Sequence, residues 1–352
     1  MAGAEPLTLG EKTMQKLLIA VALMACSSQV GAQTPAGRYW HGVTSNGGTT
    51  AASSRVYVFG GTGGTQSNYA YFNDLWYYQV DKFKWTLAPT GRAIPSGRGH
   101  IAWSCGGGKC VAAGGTNGAS RLNETWYYTE GTNTWSKVTC RKTSGCPSAR
   151  SMSTMAFDPT HGYHVLFGGV GSGGATLSDT YTFNGTAWTV RAAKTVPPAR
   201  RSASAVFVPS HISNGTSVSM DRVVIFGGQK QSVRILCDMY SWDGVDWRLI
   251  TATNQGPCVH SASMAWDTRS ATSPRLIVAN GYVDVNDTQN TDVWYFKFST
   301  TTSGTWALAS PPPCVPRRDA MGAFDRSSKK MVFFGGGDSA ANSFNDTLVC
   351  PQ

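Results

Sequence analysis

A short apolar run that ends in a pair of glycines recurs along this chain at a nearly constant spacing. The first position of each pair falls at residues 60, 114, 168, 227, 280 and 335, so the successive intervals are 54, 54, 59, 53 and 55 residues. In the fifth copy, Asn280 replaces the first glycine. A fixed period near fifty residues is typical of proteins built from repeated units. The sequence therefore predicts six structural units of similar fold.

Each unit is predicted to contain four β-strands. Runs of Val, Ile, Tyr, Trp and Phe alternate with clusters of Gly, Ser, Thr, Asn and Pro, which is typical of an all-β chain with many tight turns. The second strand leads into the glycine pair, the third opens with an acidic residue and carries aromatic side chains, and the fourth begins at a tryptophan. The first strands are predicted at Arg38–Val43, Arg98–Trp103, Arg150–Phe157, Arg200–Val208, His260–Trp266 and Asp319–Phe324.

The order of these features resembles the kelch-repeat β-propellers, the superfamily that contains the central domain of galactose oxidase, in a bacterial secreted form. The matching pattern covers residues 38–350. The resemblance implies a six-bladed propeller with four-stranded antiparallel blades around a central channel. Only Pro351 and Gln352 follow Cys350, so the last blade is expected to be incomplete, or to be closed by the N-terminal segment.

Residues 1–32 are predicted to be a leader, and residues 33–352 a single propeller domain. Translation is expected to start at Met14, which precedes a lysine and an apolar run too short to span a bilayer. Val30-Gly-Ala32 then provides the small residues of a signal-peptidase site, which indicates a secretory signal. An alternative is lipid attachment at Cys26, because the residues before it resemble a lipobox. The chain is therefore predicted to be secreted or periplasmic, either soluble or lipid-anchored.

Eight cysteines follow the leader, and an even number in an oxidising compartment favours disulfide bonds. Two of the expected pairs close short loops, Cys105–Cys110 and Cys140–Cys146. The pair Cys314–Cys350 would bracket the last unit, and Cys237–Cys258 then remains by elimination.

The formal net charge is +10, from 30 Lys and Arg against 20 Asp and Glu. The charge is spread thinly, without a run of Lys or Arg, so the sequence does not support nucleic-acid binding. After the leader, no apolar stretch is long enough for a transmembrane helix. A basic balance favours association with acidic polymers or surfaces. The predicted partner is therefore a glycan or a protein, with acidic ligands included.

An arginine stands at or near the start of the first strand in five units, and these candidate ligand-binding residues are Arg38, Arg98, Arg150, Arg200 and Arg317. Propeller symmetry would array them around the channel mouth, where their planar guanidinium groups could bind carboxylate or sulfate. The alternative is that each arginine pairs with the acidic residue that opens the third strand of every unit. Those residues are Asp74, Glu124, Asp179, Asp238, Asp292 and Asp346. The fifth unit keeps Asp292 but has Val259 in the arginine position.

No convergent set of acid, base, nucleophile or metal ligands is visible in the sequence. An acidic residue that recurs in every unit indicates a structural role, because catalysis would need it only once. No cofactor is predicted, although Asp284, Asn286 and Asp287 place oxygen ligands at spacings that calcium could use.

The sequence therefore favours a binding module for a glycan or protein at the cell surface or in the periplasm. An enzyme acting on an acidic sugar, similar to a sialate mutarotase or epimerase, is the alternative. A copper-radical oxidase, which the family resemblance also implies, is less favoured. Such an oxidase needs a cysteine cross-linked to tyrosine, and every cysteine after the leader has an expected disulfide partner.

Overall fold

Antiparallel β-strands make up nearly all of the regular structure in this computed structural model. The structure describes residues 33–65, 68–140, 145–231, 234–286, 288–309, 319–337 and 342–350. The leader predicted at residues 1–32 lies outside these ranges. Within them the helical structure is a 3-10 turn at Val80–Lys82, and no helix is long and apolar enough to cross a membrane.

The first three units contain strands β1 to β15. Unit one has β1 (Gly42–Ser45), β2 (Val56–Phe59), β3 (Thr62–Thr65), β4 (Asn68–Tyr71), β5 (Leu75–Gln79) and β6 (Lys84–Leu87). Unit two has β7 (Ala102–Gly106), β8 (Lys109–Ala113), β9 (Thr125–Thr129) and β10 (Thr134–Lys137). Unit three has β11 (Arg150–Ser151), β12 (Thr154–Asp158), β13 (Tyr163–Gly171), β14 (Thr176–Phe183) and β15 (Trp188–Arg191).

The last three units contain strands β16 to β30. Unit four has β16 (Ser204–Val208), β17 (His211–Ser213), β18 (Thr216–Val218), β19 (Arg222–Phe226), β20 (Gln229–Lys230), β21 (Arg234–Ile235), β22 (Met239–Trp242) and β23 (Trp247–Ala252). Unit five has β24 (Ser263–Asp267), β25 (Arg275–Ala279), β26 (Val293–Phe298) and β27 (Ser303–Leu308). Unit six has β28 (Met321–Asp325), β29 (Lys330–Phe334) and β30 (Thr347–Val349).

The sheets are antiparallel meanders in a propeller-like arrangement, as the sequence predicts. Unit one forms a sheet in the order β1-β2-β5-β6, unit two pairs β7 to β10 in chain order, and unit three pairs β12 to β15 with β11 also on β13. The strands β3 and β4, β17 and β18, and β20 and β21 form separate two-stranded hairpins.

The prediction of six separate four-stranded blades is wrong. The outer strands β23 and β27 pair in parallel through Thr251 with Ser303 and Ala252 with Gly304, so units four and five share one eight-stranded sheet. Unit six contributes three strands within the described residues. The part of the chain that the structure describes therefore contains four large sheets, each with at least four strands.

Five of the six first strands also begin later than predicted, whereas in unit three the short strand β11 begins at Arg150 as predicted. Residue His100, for example, has a left-handed backbone with φ of 52°, and β7 therefore starts at Ala102 instead of Arg98. A left-handed residue interrupts strand pairing because its backbone no longer continues the extended ladder. The same interruption precedes the first strand of every unit, as described below.

The first strands of the units form a closed ring, because each packs against the next and the last packs against the first: β1, β7, β12, β16, β24 and β28. Between consecutive units, the indole Nε1 of Trp188 donates to Thr125 and that of Trp247 donates to Thr180, each at 2.9 Å. The equivalent bond from Trp85 to Thr347, at 2.7 Å, joins unit one to unit six. The described residues before β1 form no strand, and the part of the predicted closing segment before residue 33 lies outside the described residues.

The glycine pairs have a specific role in this ring. The N–H of the second glycine donates to the carbonyl at the arginine position of the next unit, as from Gly61 to Arg98 at 2.8 Å. A Cβ on the first glycine, Gly60, would lie 2.6 Å from the same carbonyl oxygen, and both glycines have positive φ. Gly335 and Gly336 make the same approach to Arg38, which closes the ring from unit six to unit one.

Three disulfides join Cys105 to Cys110, Cys140 to Cys146 and Cys237 to Cys258, and these pairs match the expected ones. Cys105 and Cys110 face each other across the β7–β8 hairpin. Cys350 is also disulfide-bonded, while Cys314 lies outside the described residues.

The closing contact between units one and six can be measured with a double-mutant cycle on Trp85 and Thr347. We expect Trp85→Phe and Thr347→Val each to lower the free energy of unfolding by about 1 kcal/mol or more, because each removes the same hydrogen bond. The double variant should lose less than the sum of the two, as followed by circular dichroism in urea. Strict additivity would show that the bond does not link the two units.

Candidate binding site at the channel mouth

The repeated arginines are buried, and each is held by the repeated carboxylate of its own unit. Each of the four described arginines is at most 1% exposed, and its ion pair measures between 2.6 and 2.8 Å. The pairs are Arg38–Asp74, Arg98–Glu124, Arg150–Asp179 and Arg200–Asp238. The remaining guanidinium N–H groups donate to backbone carbonyls, including that of the first glycine of the pair. We call this arrangement the arginine clamp.

The arginine clamp supports the structural alternative for these residues. In this arrangement the four guanidinium groups have no exposed surface to offer a ligand, so ligand binding by them stays a prediction that would require the pairs to open. Arg317 lies outside the described residues. Burial alone would raise the pKa of the Asp74 carboxyl, but the hydrogen bonds and charge of Arg38 outweigh this effect and hold that pKa below its ordinary value.

Unit five replaces the clamp with two asparagines. The side-chain amide of Asn290 donates to the backbone carbonyl of Asn280 at 3.2 Å, and this carbonyl is equivalent to the glycine carbonyl that an arginine reaches in other units. Both asparagines are buried, whereas Asp292 is exposed. The loss of the arginine is visible in the sequence, and Asn280 in the glycine position is the signal for this substitution, which was not predicted.

A second ring of residues lies two positions after the arginines, at the start of the first strands. Each of these residues has a left-handed backbone, with φ between 52° and 58°. We call them the left-handed ring: Trp40, His100, Met152, Ser202, Ser261 and Asp319. Backbone hydrogen bonds of 2.8 Å run from one member to the next, from the N–H of His100 to Trp40, of Met152 to His100, of Ser202 to Met152 and of Ser261 to Ser202.

Two members of the left-handed ring are aromatic, and a third aromatic side chain packs beside them. The rings of Trp40 and His100 are stacked with their centroids 4.2 Å apart, and Tyr69 on β4 packs edge-on against Trp40 at 5.5 Å. These three side chains are partly exposed. Burial, together with the charges of Arg201 and Arg121, lowers the pKa of His100 from 6.5 to about 3. His100 is therefore a neutral ring at physiological pH.

Two arginine side chains lie beside the aromatic residues Trp40 and His100. Arg201 is held by two hydrogen bonds to the side-chain carbonyl of Gln229, at 2.9 and 2.6 Å, and lies 4.0 Å from the sulfur of Met152. Arg121 donates to the hydroxyl of Ser151 at 3.2 Å. Both arginines remain partly exposed, unlike those of the clamp. The mouth therefore presents aromatic, thioether and guanidinium groups together, a grouping that was not predicted from the sequence.

A cavity of about 290 Å³ occupies the other end of the ring of first strands. The later residues of all six first strands and the turns after them line it, among them Phe157, Phe207 and Arg326. Cys105 also lines it but is disulfide-bonded, so Arg326 is the ionisable side chain among the described lining residues. The cavity thus offers no general acid or base from this part of the chain.

The predicted calcium ligands are used within their own loop. The Asp284 carboxylate accepts hydrogen bonds from the N–H of Asn286 and from the N–H and hydroxyl of Thr288. Asp287 lies outside the described residues. In the ranges that the structure covers, no cluster of three or more His, Cys, Asp or Glu side chains could hold a metal ion.

A family model described as the KLHDC2/KLHL20/DRC7 Kelch-repeats domain matches residues 18–214, which is more than half of the chain. The chain belongs to the kelch-repeat family. The N-(sulfonatooxy)prop-2-enimidothioate sulfolyase of Thlaspi arvense is 29% identical over 147 residues, which cover 42% of this chain and 39% of that protein. The dynein alpha chain of the flagellar outer arm of Chlamydomonas reinhardtii is 27% identical over 195 residues, which cover 52% of this chain and 4% of that protein. The chain thus spans well under two thirds of either relative.

The arginine clamp should contribute far more stability than a surface ion pair. We expect Arg150→Met to lower the free energy of unfolding by about 3 kcal/mol or more, because Asp179 and the Gly168 carbonyl lose their shared partner. The matched control is Arg248→Met, which breaks a surface pair with Asp243 and should cost about 1 kcal/mol at most. Urea unfolding of both variants provides the measurement, and equal losses would contradict a structural clamp.

The clamp of unit two should also make the free energy of unfolding depend on pH in the acidic range. Burial would raise the pKa of Glu124, but hydrogen bonds from Lys137, Arg98 and Trp126 outweigh it and lower the pKa from 4.5 to about 2. A carboxyl whose pKa falls on folding stabilises the protein above its unfolded pKa, and this stabilisation disappears as the pH falls through the folded pKa.

We therefore expect Glu124→Gln to be less stable than the wild type at pH 7, with a gap that narrows from about pH 4.5 to about pH 2. Urea unfolding of the two proteins across this pH range measures the gap. A constant gap would contradict the lowered pKa.

Proposed function

We propose that the protein is an exported binding module whose left-handed ring and neighbouring arginines form the docking face for a protein ligand. The observation that carries this proposal is the grouping of partly exposed Trp40, Tyr69, Met152, Arg121 and Arg201 at one channel mouth. Tryptophan, tyrosine and arginine are enriched among the residues that dominate protein-binding energy, and methionine is enriched at interfaces. Kelch propellers also commonly bind proteins.

The charge at this mouth favours a ligand segment with acidic groups. Arg121 and Arg201 are partly exposed, and a guanidinium group can bind a carboxylate through two parallel hydrogen bonds. The net charge of +10 would also attract acidic partners at a distance. An acidic glycan shares this chemistry, since Trp40 and Tyr69 could stack against a sugar ring, and it is the second candidate.

Export agrees with the disulfides, which are compatible with an extracellular protein. Attachment at the cell surface or residence in the periplasm remains part of the proposal. An enzyme acting on an acidic sugar would need an acid or base beside the bound ring. The left-handed ring contains one carboxylate, Asp319, and one imidazole, His100. His100 is held neutral by its lowered pKa and stacked on Trp40, which suits contact better than proton transfer.

The proposal is tested by screening the oxidised protein against a displayed library of acidic peptides and against an array of acidic glycans. We expect peptide ligands whose affinity falls at least tenfold in an Arg121→Ala/Arg201→Ala variant, because both guanidinium groups contact the ligand. A Lys194→Ala/Arg248→Ala variant removes the same charge from other exposed positions and should bind normally. Ligands restricted to the glycan array would favour the second candidate, and equal losses in both variants would contradict a localised face.

A further inference from the structure

The wall of the cavity between the first strands combines aromatic and aliphatic side chains with polar ones such as Thr44, Asn46 and Ser104. Phe157, Val206 and Phe207 line it and are only partly buried, so apolar surface remains exposed inside the ring of strands. Covering such surface stabilises a complex by about 25 cal/mol for each Å² removed from water. Two glycines allow aromatic side chains to pack closely against the neighbouring strand. A Cβ at Gly106 would overlap the ring of Phe157, and a Cβ at Gly42 would overlap the side chain of Trp103.

The size of the cavity limits the ligand. An apolar cavity of roughly 150 Å³ in another protein holds one benzene molecule. The cavity here has about 290 Å³, which is nearly twice that volume and fits two fused aromatic rings. A sugar polymer or a folded partner would be too large to enter.

A single cationic group stands at the cavity mouth. Arg326 lines the cavity and its side chain is exposed, as are Gly107 and Pro159 beside it. Desolvation by the surrounding protein nevertheless lowers the pKa of the Arg326 guanidinium below its ordinary value. Among the described residues, none forms a hydrogen bond or ion pair with this guanidinium group. It is therefore available to an anionic ligand.

The carboxylates close to the cavity wall are held by hydrogen bonds or ion pairs of their own. Asp325, next to Arg326, accepts hydrogen bonds from the hydroxyls of Ser54, Ser327 and Ser328 and is 2% exposed. At the equivalent position of unit five, Asp267 is held by Arg269. Glu130 accepts a hydrogen bond from the side-chain amide of Asn46, which lines the cavity. None of these carboxylates is itself among the described residues that line the cavity.

We propose that this cavity is a second binding site, separate from the docking face, for a small aromatic anion with a bicyclic ring and a carboxylate or similar acidic group. The fused ring lies between Phe157, Val206 and Phe207, and the anion pairs with Arg326 at the mouth. Because the site contains no described acid or base, the ligand is bound and not converted.

The test is isothermal titration calorimetry of the oxidised protein with 2-naphthoate and with the neutral 2-naphthalenemethanol. We expect 2-naphthoate to bind with one-to-one stoichiometry, and Arg326→Gln to weaken it at least tenfold while leaving the neutral compound unchanged. Arg248→Gln, the matched control on an exposed surface, should bind 2-naphthoate like the wild type. Ala205→Phe, which fills the cavity from β16, should abolish binding of both compounds.

Failure of 2-naphthoate to bind at about 1 mM, or equal affinity in the wild type and Arg326→Gln, would overturn the proposal. Full binding in Ala205→Phe, with folding checked by near-ultraviolet circular dichroism, would overturn it as well. The Arg121→Ala/Arg201→Ala variant should bind 2-naphthoate normally. This separates the cavity from the docking face, so either site can fail its test without the other.

Discussion

The fit between a glycine pair and the backbone of the next unit is the contact on which the ring depends. The arginine position of one unit can approach the preceding unit only because no Cβ stands in its way, as at Gly60 beside Arg98. The arginine side chain then turns back into its own unit and binds the carbonyl of that unit's first glycine together with a carboxylate. The two recurring motifs of the sequence, the glycine pair and the arginine, therefore form a single contact between consecutive units. Gly335 and Gly336 complete it against Arg38.

Much of this fold could be predicted because the repeat carries it. The all-β class, the order of strands in each unit and two disulfide pairs followed from spacing and residue type, and the pair Cys237–Cys258 followed by elimination. The pairing of β23 with β27 did not, because it joins exposed outer edges through backbone groups that any residue supplies. The late start of the first strands was also hidden, since Trp40 and Met152 are not residues that commonly signal a left-handed backbone.

The candidate site was harder to predict than the fold for a related reason. The repeated arginines were predicted to bind a ligand because they recur, yet the residues that recur are those that hold the units together. The side chains that differ from unit to unit, such as Trp40, His100 and Met152, lie on equivalent backbone positions and face the channel mouth with Arg201 nearby. In a repeat protein, the position that varies within a constant frame is the better indicator of ligand recognition. Such a comparison between units needs no structure once the frame is known.

The left-handed ring has a consequence for how such a protein can change its specificity. Backbone hydrogen bonds link five of its members, from Trp40 to Ser261, so this part of the channel mouth keeps its backbone shape whichever side chains the positions carry. The left-handed backbone excludes proline and disfavours β-branched residues, but it accepts aromatic, polar, charged and thioether side chains. Related proteins could therefore acquire different ligands by single substitutions at the mouth, without any compensating change in the strands beneath.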